Sequence, residues 1–310
     1  MLRYVARRLA EMFLALLGTS LLVFLLIHMI PGDPALLMSG LEASPEQIEQ
    51  KRRELGLDRP LAIQYFGFLK GALQGDFGTS IRMGVPVLDE ILDRLPYTLT
   101  IAALGTLLAT LVGMVSGVLA SVYHNRPGDG LVMMLALLAA STPSYWLGLM
   151  LMLVFSLWLG WLPSIGIRSS AHYVLPVLTL AGQSGGIISR MTRAAMLDVL
   201  GQDYVRAARA RGETEWFVVV RHALKNALIP VISIVGLRFG NLLAGTVLVE
   251  SVFAIPGVGR LLVDAVNWRD YPMIQGTMLF VAGVFVVVNT VTDILYGVAD
   301  PRIRLGGAPR

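Results

Sequence analysis

Two stretches of this chain contain no Asp, Glu, Lys or Arg: residues 95–125, and the 38 residues from Gly130 to Ile167. A water-soluble fold has nowhere to put such segments. About 20 mainly apolar residues in a helix, rising 1.5 Å each, cross roughly 30 Å of hydrocarbon. Within lipid, a helix satisfies every backbone N–H and C=O inside its own segment, so the stretches read as helices. Composition agrees: the 310 residues are 55% hydrophobic and 15% charged, against about 45–50% and about 25% in soluble domains. The expected fold is all-α and polytopic. The sequence has no cysteine, which excludes a disulfide scaffold, a thiolate metal site and a cysteine nucleophile.

Six spans are expected. The first runs from about Leu9 to Ile30, behind Arg3, Arg7 and Arg8. Its apolar core, Met12–Ile27, is long for a signal peptide and no small-x-small cleavage site follows, so it reads as an uncleaved anchor. The second starts near Pro96. The third lies within Gly130–Ile167, where a single straight helix would measure about 57 Å, nearly twice the hydrocarbon thickness. Trp158, Trp161 and Pro163 mark a membrane-surface belt and a stop there, which assigns the excess to the interface. The fourth covers about Tyr173–Ser189, the fifth about Leu228–Val249 with Arg238 inside it, and the sixth about Met273–Val291.

The charge distribution orients these spans. With the N-terminus inside, segments 1–8, 123–130, 190–227 and the tail after about 298 hold 3, 1, 7 and 3 Lys or Arg, which is 14 of the 25. The external loops near 159–173 and 250–272 hold only Arg168, Arg260 and Arg269. This positive-inside asymmetry places both termini in the cytoplasm. It also accounts for the net charge of +4, so no nucleic-acid partner is called for. Residues 31–94 are translocated whatever their charge, because the loop is long. Ser44, Pro45 and Gln47 make an N-cap, a first helical Pro and a capping-box partner there, and Gly56 makes a stop. A second helix follows Pro60, with Leu61, Tyr65, Phe66, Leu69 and Leu73 near helical spacing, and Gly75-Asp76-Phe77-Gly78 reads as a turn. The organisation is an N-terminal span with its external loop (1–94), a five-helix core (95–299) and a cytoplasmic tail (300–310).

Catalytic signatures are missing. The sequence has no GxxxxGK[ST] and no HExxH, and His28, His124, His172 and His222 are scattered over different segments. The informative stretch is the cytoplasmic loop 190–227, too long for a simple connection. Asp198–Arg211 reads as one helix, stopped by Gly212, and Glu213–Lys225 as a second, with Trp216, Val219, Val220 and Ala223 along one side. A helix–Gly–helix hairpin of this kind offers a small rigid surface to another protein; the alternative is a solvated connection with no partner.

The run Asp203-Tyr204-Val205-Arg206-Ala207-Ala208-Arg209-Ala210-Arg211-Gly212, followed by Arg221-His222-Ala223-Leu224-Lys225-Asn226-Ala227, resembles the EAA loop of ABC-importer permeases in its dipeptide/oligopeptide form. Arg206 and Lys225 stand where the generic pattern has Glu and Pro. Further matches are His28-Met29-Ile30-Pro31-Gly32-Asp33-Pro34, Gly75-Asp76-Phe77-Gly78-Thr79-Ser80, Glu250-Ser251-Val252-Phe253 with Pro256-Gly257-Val258-Gly259, and Asp300-Pro301-Arg302-Ile303-Arg304. The resemblance implies a type I ABC-importer permease fold in the bacterial inner membrane. It implies a homologous second permease, two P-loop ATPases that bind ATP and Mg, an extracytoplasmic binding protein and a peptide substrate. The chain itself would hold no cofactor and no metal and catalyse nothing. Tyr204, Arg206, Ala207, Ala208, Gly212, His222 and Asn226 would form the surface that docks on the ATPase. Glutathione, nickel chelates and oligosaccharides are substrates of the same branch.

A charged residue at the bilayer centre costs roughly 2.5–3.5 kcal/mol on insertion scales and faces protein or water. The candidates are Arg238, Asn241, Asn289, Gln183, Ser184 and Asp293. Arg238 is the most expensive; with Asn241 and Asn289 it either lines a path where a peptide carboxylate passes, or pairs structurally with an acid or carbonyls of a neighbouring helix. Glu11 reads as snorkelling or capping. A stand-alone secondary transporter or channel would show inverted repeats and an intramembrane acidic relay; neither is found, and it would leave the hairpin unexplained.

Overall fold

The computed structural model describes residues 2–29, 34–39, 43–54 and 56–299. Ile30, the stretch Pro31-Gly32-Asp33 and the tail 300–310, with its Asp300-Pro301-Arg302 run, lie outside the described residues. Those described form helices joined by turns and by two longer loops, 74–86 and 159–169, with one isolated bridge between Thr79 and Pro86. The helices are α1 (Leu2–Met29), α2 (Pro34–Ser39), α3 (Pro45–Glu54), α4 (Leu61–Leu73), α5 (Val87–Val122), α6 (Pro127–Ser141), α7 (Ser144–Leu151), α8 (Val174–Leu200), α9 (Asp203–Ala210), α10 (Glu215–Phe217), α11 (Lys225–Val252), α12 (Val258–Trp268) and α13 (Tyr271–Ala299). α7 continues as a π-helix over Met152–Trp158, and a second π-helix, Val218–Leu224, joins α10 to α11.

Four described helices are long and apolar enough to cross a bilayer: Tyr4–Leu26 within α1, α5, the continuous helix 215–240 and Tyr271–Ile294 within α13. The third expected span is a bent pair instead of one rod with its excess in the interface: Pro127–Ser141 and Ser144–Trp158 meet at 106°. Pro143 causes the break. It has no N–H to continue α6, it pushes Thr142 into extended backbone (ψ 126°), and α7 restarts directly after it. Taken as one broken span, the pair makes a fifth. α8, at 27 residues about 40 Å long, has the length of a span, but Arg190, Arg193 and Asp198 put its composition outside that of the other spans.

Other boundaries move as well. α1 begins at Leu2, so the N-terminal arginines are helical, and α5 begins at Val87, nine residues before Pro96. The first turns of α5 are amphipathic: Val87 and Ile91 are fully buried against Val258, Leu261 and Met273 at the external end. The external segment folds as its caps require. The Ser44 N–H donates to Gln47 Oε1 (2.9 Å) while Gln47 N–H points back at Ser44 Oγ (3.4 Å), and Gly56 takes φ +66°. In the turn before α5, Gly75 and Gly78 have φ +78° and +81°. α4 lies against α1: Tyr65 OH meets Ser20 Oγ (2.8 Å) and stacks edge-on with Phe24, while Phe66 and Leu73 face outward.

The core is built around α5 and α8, which share the most extensive helix contact in the fold; α6 and α11 also pack on α8. α8 turns Thr179, Ser184, Gly185, Gly186, Ser189 and Thr192 inward. A Cβ at Gly117 of α5 would sit 2.5 Å from the Ser189 carbonyl oxygen, and one at Gly113 would sit 2.8 Å from the Gly185 carbonyl oxygen. Small residues therefore set the helix separation, as they do where lipid supplies no hydrophobic push. Gly117→Ala should force the pair apart and cost about 1–3 kcal/mol, read as a lower thermal midpoint of the detergent-purified protein. Gly18→Ala, where nothing lies within 4 Å, is the control and should leave the midpoint unchanged. Equal midpoints for the two variants would show that the α5–α8 contact does not govern stability.

Candidate functional site

The hairpin, read from its charges as cytoplasmic, runs from the end of α8 through α9, turns at Gly212 and returns through α10 into α11. Its interior is small: Val205 and Ala208 of α9 close on Val218, all three fully buried, beside Val199 and Leu200. Gly212 holds φ +83° with nothing within 4 Å of where a Cβ would be, so the turn demands glycine for its backbone and not for space. The expected second helix, Glu213–Lys225, starts at Glu215 and does not end; it is one piece with α11. The expected apolar side also divides. Val219 and Ala223 are buried, whereas Trp216 (76% exposed) and Val220 face out.

Ion pairs clip the hairpin from outside. Arg209 donates to both Glu215 oxygens (3.0 and 2.6 Å), Arg211 to Glu213 Oε1 (2.8 Å), and His222 Nε2 lies 2.7 Å from Glu213 Oε2. Arg211 and then His222 hold the Glu213 carboxyl below its ordinary range, and Glu215 raises the Arg209 guanidinium. Asn226 Nδ2 donates to Tyr204 OH (2.7 Å), tying the two arms together. Of the residues read as a docking surface, Tyr204, Arg206, Ala207, Gly212 and Asn226 are exposed, and His222 is partly so. Ala208 is not: its methyl fills the hairpin interior, so its smallness serves internal packing while Ala207 faces outward.

At membrane depth the polar candidates part company. Asn289 packs against α11 at Gly240, where a Cβ would approach its Oδ1 at 2.6 Å. Arg238 is partly buried, two residues before that contact, and forms no ion pair or hydrogen bond among the described residues; its Nε is fully buried without a partner. The Asn241 side chain lies outside the described residues. Ser184 is buried between helices, and Gln183 is exposed. Asp293 and Glu11 meet Arg8, which joins α1 to α13: it lies 3.2 Å from Asp293 and 3.0 Å from Glu11.

Asp129 and Asp270 are not among the site residues read from the sequence, and Glu250 is there only as part of a motif, yet all three are buried and hydrogen-bonded. Asp129, in the first turn of α6, takes two bonds from Arg193 of α8 (both 2.6 Å). Asp270 accepts from Ser80 and from the N–H groups of Ile81 (3.1 Å), Arg82 (3.0 Å) and Met273 (3.3 Å), locking the turn before α5 to α13. Glu250, fully buried, accepts from Thr98 Oγ1 (2.7 Å), the Arg260 N–H (3.0 Å), Gly259 and Thr246. Thr98 in turn accepts from the Val258 N–H (2.9 Å). The carboxylate thus satisfies the unpaired N–H groups at the α12 N-terminus. Gly257 and Gly259 pass so close that a Cβ on either would collide with it. Among the described residues no group of three His, Asp or Glu could hold a metal ion.

Against known proteins, the family described as "Binding-protein-dependent transport system inner membrane component" matches residues 109–305, and its N-terminal counterpart matches residues 1–102. The chain belongs to this family. The glutathione transport system permease protein GsiC of Escherichia coli K12 is 47% identical over 304 residues, covering 98% of this chain and 99% of the relative. That of Salmonella paratyphi A is 46% identical over the same span. Among solved structures, the inward-facing MetNI methionine ABC transporter matches with a TM-score of 0.57 at 19% identity, over 68% of this chain and 96% of that one. An amino acid ABC transporter solved with histidines matches at 0.52 and 19%, over 69% and 94%. The fold is that of ABC-importer permeases, and the chain is a multi-pass inner-membrane component of such a system.

In this permease, removing the Glu250 carboxylate leaves several buried donors unpaired. Glu250→Ala should cost about 3 kcal/mol, seen as a lower thermal midpoint and faster proteolysis after Arg260. Thr98→Val should add little in the double variant, because both act on the same cap. Strict additivity would contradict a shared cap.

Proposed function

We propose that this chain is one of two homologous permease subunits of a peptide importer. The substrate would be delivered by an extracytoplasmic binding protein and moved by two ATPase subunits docked on the cytoplasmic face. ATP and Mg belong to those partners; this chain binds neither and is not itself an enzyme. Six crossings, counting α8 and the broken pair, with both termini cytoplasmic, fit the charge asymmetry. Peptides are the favoured cargo because the relatives at 47% identity are named for transport of glutathione, a tripeptide. Glutathione or a peptide of similar size and charge is therefore the first substrate to test, ahead of nickel chelates or oligosaccharides.

The observation that carries the coupling reading is the continuity of the hairpin with α11. A partner that grips α9 and α10 moves a helix that runs without a break from Glu215 to Val252. Tyr204, Arg206, Ala207, Gly212 and Asn226 face outward on that hairpin with Trp216. His222 keeps it folded through Glu213, and Ala208 keeps it compact. A bulky Ala207 should block docking without disturbing the fold, whereas a bulky Ala208 should disturb the fold first. Gly212→Asp adds backbone strain and a charge beside Glu213.

The test is co-purification with the ATPases from detergent extract, with ATP-dependent glutathione uptake by the assembled complex in proteoliposomes. Ala207→Leu and Gly212→Asp should insert normally, lose at least tenfold of the bound ATPase and abolish uptake. Ala208→Leu should lower the thermal midpoint as well. Undiminished ATPase binding by both Ala207→Leu and Gly212→Asp would overturn the docking surface, and uptake without any ATPase would overturn the importer reading.

A further inference from the structure

α4 is an apolar helix that the protein leaves uncovered. Its 13 residues carry one charge, Lys70, and none of them is buried; Phe66 is 67% and Leu73 82% exposed. At about 20 Å it is too short to cross a bilayer. Its height is set by α1, whose apolar span is Tyr4–Leu26. Gln64 Oε1 lies 3.2 Å from His28 Nε2, beyond the end of that span. Tyr65 reaches the other way: its OH lies 2.8 Å from Ser20 Oγ and 3.4 Å from the Leu17 carbonyl oxygen. Ser20 and Leu17 stand about 9 and 13 Å inside Leu26 at 1.5 Å per residue. Phe24, between these levels, faces the rings of both Tyr65 and Phe68. α4 therefore crosses α1 where the apolar span ends.

The rotation of α4 agrees with that height. At about 100° per residue, Leu69 and Leu73 fall within about 80° of Tyr65 and Phe66 within about 100°, on the side that reaches inward to Ser20. Gly67, Gly71 and Gln74 fall within about 80° of Gln64, on the side of His28. Ile63 and Lys70 take the flank away from α1, where a lysine stem follows apolar surface while its ammonium reaches headgroup phosphates. Leu21 and Leu25 of α1, beside the Ser20–Phe24 face that α4 touches, are exposed as well. We propose that α4 is an interfacial helix whose Phe66, Leu69 and Leu73 side is covered by acyl chains of phospholipid in the adjoining leaflet, the external one under the charge-based orientation, with Gln64 and Gln74 turned to water. A soluble partner reaches the outward edge of such a helix, but the Tyr65 edge points into the depth of the span, where the medium is lipid. Lipid and α1 together then fix the height of the loop 74–86, which Asp270 ties to the start of α13 through Ser80 and Ile81.

The chain has no cysteine, so single thiols can be placed and labelled with a small fluorophore in the purified transporter complex, with the unaltered complex as background. The variants are Phe66→Cys and Leu73→Cys on the inward side, Gln74→Cys on the outward side, and Asp58→Cys in the exposed turn before α4. Each is reconstituted in nanodiscs of phosphatidylethanolamine and phosphatidylglycerol. Phospholipid with a nitroxide on its acyl chain should quench the labels at Phe66 and Leu73 at least threefold more than those at Gln74 and Asp58, and iodide in the water should quench in the reverse order. Leu73 and Gln74 are adjacent in sequence, so opposite responses there require a helix lying along the membrane surface. Iodide quenching of all four labels alike would place α4 in water and overturn the proposal; acyl-nitroxide quenching of all four alike would overturn the orientation. Labels at Phe66 and Leu73 that respond to neither quencher would overturn it in favour of a protein partner on that face. The two inward positions report separately, so if one variant fails to assemble the other decides.

Discussion

Between α5 and α8 the backbones approach so closely that a single methyl group on Gly117 or Gly113 would strike a carbonyl oxygen of the other helix, and the rest of the bundle is arranged around that approach. Water drives apolar helices together in soluble proteins, but lipid tails are as apolar as leucine, so association must come from packing and from hydrogen bonds. Ser116 Oγ donates to Ser189 Oγ across this contact (2.8 Å). α8 must therefore be a helix of small and hydroxylated residues on its inner face. With α8 fixed, α6 settles on Gly186, where a Cβ would collide with the Ala136 carbonyl. Asp129 and Arg193 tie the same two helices at their cytoplasmic end.

The two ends of the bundle are held by different chemistry. Externally, Glu250 and Asp270 are buried carboxylates whose partners are hydroxyl and backbone donors. Such groups are expensive to leave unpaired, so the external turns and α12 are locked to the ends of α11, α5 and α13. The cytoplasmic hairpin is clipped by exposed ion pairs such as Arg209–Glu215 and Arg211–Glu213, each worth little in water. One end is held by buried, fully hydrogen-bonded carboxylates and the other by exposed ion pairs that cost little to break.

Much of this was legible in the residues. Charge-free stretches gave the apolar helices, the Ser44–Gln47 capping box gave α3, and the run around Ala207 and Gly212 gave the hairpin. The failures have physical causes. Pro143 looked harmless inside a charge-free stretch because hydropathy does not register a missing N–H, yet it bends the third span by 106°. The hairpin's second arm was cut at Lys225 because composition changes there, although nothing in the backbone stops a helix at that point. Ala208 was assigned to a partner because smallness does not say which side is crowded. Asp129, Asp270 and the function of Glu250 were invisible because their donors are Arg193, loop N–H groups and Thr98, between 64 and 190 residues away. A lone acid beside a Pro-Gly or Gly-x-Gly turn, as at Asp129 and Glu250, is the one signal that could have pointed to them.

These features meet on α11. At its external end Glu250 is clamped to α12 and to Thr98 of α5; near its middle lie Arg238 and the Asn289 contact; at its cytoplasmic end it becomes the hairpin. A rod pinned at one end and gripped at the other can only pivot, so displacement grows with distance from Glu250. Under the coupling proposed above, Arg238, about 18 Å from the pin, would move by a fraction of what the hairpin moves. Pro230 and the π-turn Val218–Leu224, both between Arg238 and the hairpin tip, are where the backbone hydrogen-bond ladder of this continuous helix is weakest. The half of α11 between Arg238 and Glu250 has no proline and no π-turn, so under the coupling proposed above any bending would fall on the hairpin side and leave the Glu250 cap closed.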